Sequence, residues 1–196
     1  MLGILALRTV NGPGGINKGS LVSLVQELKK QPSSRTDSSA PGIILANAGE
    51  LYWWPEGGCS FEPMRQQAAP MKTAVHRGRK VAPRVNEIPQ NETVGRHVTY
   101  MFDKVVPYLI GEGSNVQVDV IGIGGGADAV HEYFNDEKNF NKYETNLHAM
   151  VILGGHFGLE RLKCDGFKAF LQHVCLIAPC ISTRFYRIVD TNEFSQ

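Results

Sequence analysis

The chain has 196 residues, of which 42% are apolar and 20% are charged. This length and composition indicate one globular domain with a sizeable core, they exclude a disordered chain, and they disfavour two full domains. Twenty basic residues against 19 acidic ones give a formal net charge of +1, so no field of the whole molecule attracts nucleic acid or anionic lipid. No apolar run reaches the roughly 18 residues that span a bilayer. The four cysteines show no CxxC spacing and favour a reducing, intracellular compartment.

The first quarter of the chain predicts a strand, a glycine turn, a helix and a second strand. Leu2–Val10 reads as a strand that runs into the turn residues Asn11–Gly15. Ser20 then caps a helix with apolar residues at helical spacing, namely Leu21, Leu24, Val25 and Leu28. After a polar, serine-rich loop, the continuous apolar run Gly42–Ala46 predicts a strand that is buried on both faces of a parallel sheet.

The rest of the chain alternates helices and strands after a long connection. Residues 47–90 lose periodicity, and helical spacing returns over Thr93–Ile110, where Pro107 should bend or end the helix. The remaining elements are a strand over Val116–Ile123, a helix from Ala127 to Phe134, a strand over His148–Leu153, a helix over Leu159–Leu171 and a strand over Val174–Ala178. The alternation predicts an α/β fold with a mainly parallel sheet flanked by helices.

The sharpest local motif is the glycine turn Gly122–Ala127, which satisfies the dinucleotide fingerprint G-x-G-x-x-G/A. That function also needs an acidic residue at the end of the next strand to bind the ribose. The next strand ends in Gly154, Gly155 and His156, with no carboxylate, and the motif lies in the middle of the chain. A dinucleotide cofactor is therefore disfavoured, and no cofactor is expected.

The same turn fits the nucleophile elbow G-x-S-x-G of α/β-hydrolases, with one decisive change. Gly122, Gly124 and Gly126 keep the frame with Gly125 beside them, but Gly124 stands where the nucleophilic serine should be. The α/β-hydrolase fold places its catalytic histidine after the last strand. Here the last histidine of the chain is His173, which precedes the final predicted strand. We therefore expect a degenerate elbow and no catalytic residue.

The glycine-rich segment Asn11–Ser20 is a candidate contact for an anion or a partner. Its candidate residues are Asn11, Gly14, Gly15, Lys18 and Ser20. The segment is not a P-loop, because the lysine precedes the glycine instead of following it. The free N–H groups of the following helix could still bind an anion, and a plain structural turn is the alternative.

Two other clusters are candidate partner contacts. Tyr52, Trp53 and Trp54 follow the predicted strand Gly42–Ala46, so we expect them at the carboxyl ends of the sheet strands, where ligands of open α/β sheets bind. The alternative is that these aromatic residues form core beneath a long loop. The basic cluster His76, Arg77, Arg79 and Lys80, with Arg84 nearby, could contact nucleic acid or an acidic partner. No aromatic side chains are interleaved with it, so a solvated loop is the alternative. No histidine or cysteine spacing fits a metal site.

Long stretches of the chain resemble the fungal argonaute-binding protein 2 (Arb) domain family. Related domains occur at the C-termini of fungal class II histone deacetylases. The likeness extends from about Arg8 to about Cys180. Its strongest segments are Asn11–Ser20, Gly42–Asn47, Gly49–Gly57, Val75–Lys80, Ile88–Thr93 and Asp119–Val130.

The resemblance implies an α/β-hydrolase-like fold without a retained catalytic triad. It also implies a protein-interaction role in heterochromatin assembly and small-RNA silencing, with argonaute or chromatin complexes as partners, in the nucleus or the cytoplasm. We expect one domain over residues 1–180 and a divergent tail over residues 181–196, with sheet strands truncated at both ends relative to the family. The alternative is a small hydrolase or transferase of this fold that uses other residues than a serine at the elbow.

Overall fold

In a computed structural model, residues 7–55, 57–61, 82–111, 114–154, 161–178 and 186–187 are described. The chain divides into two compact units, Met1–Glu50 and Leu51–Gln196. The predicted division at residues 180 and 181 stays a prediction.

The described part of the first unit is helical. Its helices are α1 (Leu7–Val10), α2 (Gly15–Gly19) and α3 (Leu21–Leu28). The predicted cap of α3 is confirmed, because the Ser20 Oγ accepts a hydrogen bond from the Val22 N–H at 3.2 Å. The predicted strand Leu2–Val10 is wrong over its described part. There the chain winds through local bonds such as Gly12 N–H to the Thr9 carbonyl at 3.2 Å, which replace a strand ladder.

The predicted strand Gly42–Ala46 is also wrong. These residues are irregular, and Ile44 and Leu45 are 45% and 47% exposed. An apolar run forms a strand only where a neighbouring strand satisfies its backbone groups. The structure describes no strand ladder within residues 7–50 that could do so.

The second unit begins with an antiparallel ribbon inside the predicted long connection. Strands β1 (Tyr52–Trp54) and β2 (Cys59–Phe61) pair with Trp53 opposite Ser60. A short helix, α4 (Pro83–Asn86), follows, and the buried Asn86 ties it to the ribbon by donating from Nδ2 to the Trp53 carbonyl at 2.9 Å.

The helix predicted over Thr93–Ile110 is present and continues through Pro107. It consists of α5 (Val94–Tyr100), a π-helical turn (Met101–Val105) and α6 (Val106–Ile110). The Val106 N–H donates to the Met101 carbonyl, five residues back. This wider turn lies just before the proline, which has no N–H to donate to the carbonyl four residues before it, so the helix widens instead of ending.

A four-stranded sheet forms the scaffold of the second unit. Its strands, in sheet order, are β3 (Val118–Ile123), β4 (Leu147–Leu153), β5 (Cys175–Ala178) and β6 (Tyr186–Arg187). The first three are parallel and β6 is antiparallel to β5. The connecting helices are α7 (Gly125–Phe134), α8 (Glu137–Tyr143) and α9 (Asp165–Val174). The predicted α/β class is confirmed.

The last helix begins later than the sequence predicts. Leu159 lies outside the described residues, and residues 162–164 are not helical. The Asn135 Oδ1 accepts hydrogen bonds from the Lys163 N–H at 2.7 Å and the Cys164 N–H at 3.3 Å, which hold this segment before the helix. The Cys164 carbonyl then accepts from the Lys168 N–H at 3.0 Å, so α9 starts at Asp165.

The core lies on one face of this sheet. Val120, Met150 and Ile152 point from β3 and β4 into it. The helices contribute an aromatic cluster in which Phe134 lies 4.9 Å from Phe102 and 5.8 Å from Phe167, measured between ring centroids. The opposite face presents side chains that are exposed or half-buried, namely Asp119, Ile121, Ile123, Ala149, Val151 and Leu153.

Candidate functional site

The glycine turn lies at the carboxyl end of β3, where the sequence predicts it. Gly124 has φ 57° and ψ −130°, a backbone conformation that residues with a side chain rarely adopt. The Gly124 N–H donates to the Leu153 carbonyl at 2.8 Å, and its own carbonyl accepts from the Ala127 N–H at 2.9 Å. The turn is therefore fixed between the end of β4 and the first turn of α7.

Each glycine of the turn has a different structural role. A Cβ on Gly122 would lie 2.9 Å from the Ala127 Cα, so glycine is required there for the close approach of α7 to β3. A Cβ on Gly124, Gly125 or Gly126 would meet nothing within 4 Å. Among the described residues, nothing would obstruct a Cβ at position 124, where the elbow of a hydrolase holds its nucleophile.

A hydrogen-bonded histidine and carboxylate occur in the same sheet, at its other end. The Nδ1 of His148 lies 3.0 Å from the Oδ1 of Asp119, and both side chains are more than half exposed. Asp119 precedes Gly124 by five residues, which is roughly 16 Å along a strand. The pair therefore lies near the amino ends of β3 and β4 and does not serve the turn.

Two further histidines lie in the helical layer, where His131 is buried and His97 is half-buried. The Nδ1 of His97 lies 2.6 Å from the Asn91 Oδ1. Because the Asn91 Nδ2 donates to the Pro89 carbonyl, the Asn91 oxygen is the acceptor and His97 carries its proton on Nδ1. Burial lowers the pKa of His97. Burial also lowers the pKa of His131 in α7, although the charges of Asp128 and Glu132 act in the opposite direction. Both imidazoles are therefore held in the neutral form.

The candidate contact residues of Asn11–Ser20 do not form a strand-to-helix phosphate loop, because helix α1 precedes them. Gly15 (φ 58°) begins the short helix α2, which contains Lys18. The Ser20 hydroxyl is engaged locally, since it donates to the Ile16 carbonyl at 2.5 Å and accepts from the Val22 N–H. A Cβ on Gly14 would lie 3.0 Å from the Lys18 Cβ, so close packing explains that glycine. Asn11 is exposed before this helix.

The tryptophans lie in the antiparallel ribbon β1–β2, and their predicted place after a parallel strand is wrong because Gly42–Ala46 is not a strand. Trp53 is 39% exposed. The Trp54 ring lies 5.8 Å from the Phe61 ring, and a Cβ on Gly57 would come within 2.1 Å of it. Trp54 is thus packed within the ribbon.

The basic cluster His76, Arg77, Arg79 and Lys80 lies outside the described residues. Arg84 is exposed in α4. Roles for the candidate contact residues stay predictions. No group of histidine, cysteine or acidic residues within the described ranges could hold a metal ion. The described helices are also too short or too polar to cross a membrane.

Comparison with known families assigns the chain. The family model of the Arb2 domain matches residues 1–177. The chain belongs to the Arb2 domain family. The matched range includes the glycine turn, β4 and nearly all of β5, so the predicted family resemblance is confirmed over most of the chain. No curated protein and no solved structure matches it.

This Arb2 domain also has a polar cluster that the sequence did not predict. The Asp103 Oδ1 accepts hydrogen bonds from the Tyr133 hydroxyl at 2.8 Å and the Lys142 Nζ at 2.9 Å. Burial alone would raise the pKa of Asp103, but these two hydrogen bonds and the lysine charge lower it. Burial and the nearby Asp103 raise the pKa of Tyr143 to about 12. Asp103 is therefore an ionised carboxylate that accepts a hydrogen bond from the protonated phenol of Tyr133, whereas the Tyr143 hydroxyl donates to the Phe102 carbonyl.

Asp103 also lines an open groove of about 260 Å³ on the outer side of α5. Its other lining residues are Gln90, Arg96, Thr99, Tyr100 and Lys104. The residues of the cluster lie 30 and 39 positions apart in sequence, so no local spacing could have revealed their contact.

Proposed function

We propose that this Arb2 domain is a non-catalytic protein-interaction domain that acts in small-RNA silencing and heterochromatin complexes. Membership of the Arb2 family supports the interaction role. We further propose that the fold is a variant of the α/β-hydrolase fold, on the basis of the parallel strands β3–β5 and the strained turn at the carboxyl end of β3. A nuclear or otherwise intracellular location belongs to the same proposal, as does the kinship with the C-terminal domains of fungal class II histone deacetylases.

The observation that carries the proposal is the backbone of Gly124. In the α/β-hydrolase elbow a strained turn lifts the nucleophile above the sheet. Gly124 has φ 57°, a conformation that would be strained for a residue with a side chain, and no described residue would obstruct a Cβ there, but glycine has none. A hydrogen cannot attack a carbonyl carbon, so such a turn can position a neighbouring loop but cannot start an acyl transfer.

The Asp119–His148 pair supports the same conclusion. A catalytic histidine must reach the nucleophile within a hydrogen bond, about 3 Å. Asp119 and Gly124 are separated by roughly 16 Å of strand, so this pair cannot act on a group held at the turn. The pair lacks the geometry of a catalytic dyad for the elbow.

An ester-hydrolysis assay tests the non-catalytic part. We expect purified protein to hydrolyse p-nitrophenyl acetate and p-nitrophenyl butyrate at the rate of buffer alone. Gly124→Ala and Gly125→Ala form a matched pair, because both positions have room for a Cβ and only Gly124 has a positive φ. Turnover that Gly124→Ala abolishes and Gly125→Ala preserves would contradict the proposal and favour a hydrolase or transferase that depends on this turn.

Affinity capture tests the interaction part. The tagged chain is expressed in fungal cells with an active small-RNA silencing pathway, and the bound proteins are identified by mass spectrometry against a tag-only control. We expect argonaute or chromatin-silencing subunits to be enriched. Recovery of a folded, monomeric protein with neither class enriched would contradict a silencing role.

A further inference from the structure

The outer edge of β3 has no strand partner among the described residues of the second unit. β3 is the first strand in the sheet order, and no described strand pairs with its outer side. It is six residues long, which is a full-length strand. Unpaired strand edges present backbone donors and acceptors that template the addition of another strand.

The direction of the backbone groups of β3 follows from two hydrogen bonds to the β4 side. The Val118 N–H donates to the Asn146 carbonyl at 2.7 Å, and the Gly124 N–H donates to the Leu153 carbonyl at 2.8 Å. Backbone groups alternate sides along a strand, residue by residue, so the even-numbered residues face β4. Asp119, Ile121 and Ile123 therefore direct their N–H and C=O groups away from β4, toward the open edge.

The same three residues place their side chains on the sheet face opposite the core. Ile121 is 39% exposed, and Ile123 is half-buried. Val151 and Leu153 of β4 are paired with them and are also half-buried. An added strand would thus gain backbone hydrogen bonds and apolar contacts from the same residues.

Asp119 gives this edge a charge preference. Its side chain is 67% exposed, and on the β4 side it contacts His148 at 3.0 Å. On its other side lies the open edge, where a strand neighbour would place a Cβ about 5 Å away. A lysine or arginine at that position would face a carboxylate, whereas an acidic residue would be repelled.

We propose that the outer edge of β3 is a docking site for an extended segment of a partner protein, with a lysine or arginine opposite Asp119 and aliphatic side chains opposite Ile121 and Ile123. The inference rests on the proposed interaction function and specifies its surface. Backbone pairing supplies the attachment, the two aliphatic positions fix the face, and the basic residue fixes the register. A register slip of one residue would turn every side chain to the wrong face.

Two short peptides with this pattern are the probes. Lys-Thr-Val-Thr-Val-Thr fits a parallel addition, and Thr-Val-Thr-Val-Thr-Lys fits an antiparallel one. Each is titrated into the full chain and followed by NMR of the backbone amides. We expect one of the two to bind, and we expect slower hydrogen exchange at Asp119, Ile121 and Ile123. The amides of Val120 and Gly122 already face β4 and should change little, so the strand contains its own control.

Four variants separate backbone pairing from side-chain contact and from charge. Ile121→Pro removes an outward N–H without removing a bond to β4, whereas Ile121→Thr keeps that N–H and the β-branched shape. Asp119→Lys reverses the charge at the edge, and Glu144→Lys makes the same change of net charge at an exposed position after α8. We expect about a tenfold loss of affinity in Ile121→Pro and Asp119→Lys, and less than about a threefold loss in the two controls.

Three results would overturn the inference. One is that neither peptide binds the folded chain. Another is that binding persists when the lysine of the peptide is replaced by glutamate. The same holds if two peptides, each N-methylated at one of the two sets of alternate amides, both bind as well as the unmethylated peptide. The third is that the edge is occupied by a second copy of the chain, seen as a dimer that Ile121→Pro dissociates. Failure of the peptides while silencing proteins are still captured would refute this surface alone, and failure of that capture with peptide binding intact would refute the silencing role alone.

Discussion

The two units of the chain contain similar apolar patterns but very different packing. Within residues 51–187 the core includes the fully buried side chains Phe134, Tyr143, Met150 and Phe167. Within residues 9–50 no described hydrophobic side chain is fully buried. All aromatic residues of the chain lie after residue 50. Helical periodicity is therefore sufficient to form a helix such as α3, but side-chain volume decides whether its apolar face becomes a core.

The largest expected effect is the loss of a core aromatic. Phe134 is fully buried and contacts the rings of Phe102, Tyr133, Tyr143 and Phe167. We expect Phe134→Ala to lower the free energy of unfolding by about 3 to 5 kcal/mol. Urea denaturation followed by tryptophan fluorescence measures it, since both tryptophans, Trp53 and Trp54, lie in the second unit.

The matched substitution in the first unit is Leu24→Ala. Leu24 lies on the apolar stripe of α3 and is only half-buried. We expect a cost below about 1.5 kcal/mol, because partial burial loses only part of the transfer free energy. Because the tryptophans report on the second unit only, hydrogen exchange of the amides in α3 measures this cost, and equal costs for Leu24→Ala and Phe134→Ala would break the comparison between the two units.

The second prediction concerns close packing of backbone. A Cβ on Gly122 would press on the Ala127 Cα at 2.9 Å, whereas a Cβ on Gly42 would meet nothing within 4 Å. We expect Gly122→Ala to cost about 1 to 3 kcal/mol and Gly42→Ala to cost nothing measurable in urea denaturation. Since the obstacle is backbone, the added change Ala127→Gly should not restore stability, and a full rescue would show that the side chain was the obstacle.

The regions that the sequence predicts correctly are those where local pattern and tertiary burial agree. β3, the glycine turn, α7 and β4 each have one face that packs into the core, so alternation or helical spacing is visible in the residues themselves. Gly42–Ala46 fails because its pattern needs a neighbouring strand, which sequence alone cannot supply. The Asp103 cluster and the Asp119–His148 pair depend on contacts between residues 29 to 39 positions apart, which no local spacing encodes.

The third prediction asks whether backbone strain differs between the units as packing does. Gly15 and Gly124 have nearly the same φ, 58° and 57°, and both have room for a Cβ. We expect alanine at either position to cost about 1 to 3 kcal/mol locally, because a residue with a side chain is strained at a positive φ. Hydrogen exchange of the amides in α2 and in α7 reads the two effects separately. Gly125→Ala is the control and should be neutral, because Gly125 has room for a Cβ and no positive φ.

The smallest expected effect is a pH dependence that belongs to the second unit, because residues 1–50 contain no histidine. Burial lowers the pKa of His97 and of His131 below the ordinary value of 6.5. A group whose pKa is lower in the folded state binds fewer protons there than in the unfolded chain. The free energy of unfolding should therefore be constant above about pH 6.5 and should fall as the pH drops from there through the folded pKa values.

Comparison of urea denaturation at pH 7.5 and pH 5.5 measures this dependence, and His97→Gln isolates one contribution to it. The Nε2 of His97 is buried and has no hydrogen-bond partner among the described residues, so protonation there would create an unpaired buried donor. Glutamine can still donate to the Asn91 Oδ1 but does not titrate, so the loss of stability between the two pH values should be smaller in the variant. An unchanged loss would mean that His97 binds protons equally well in the folded and the unfolded chain, and would contradict a lowered pKa of His97.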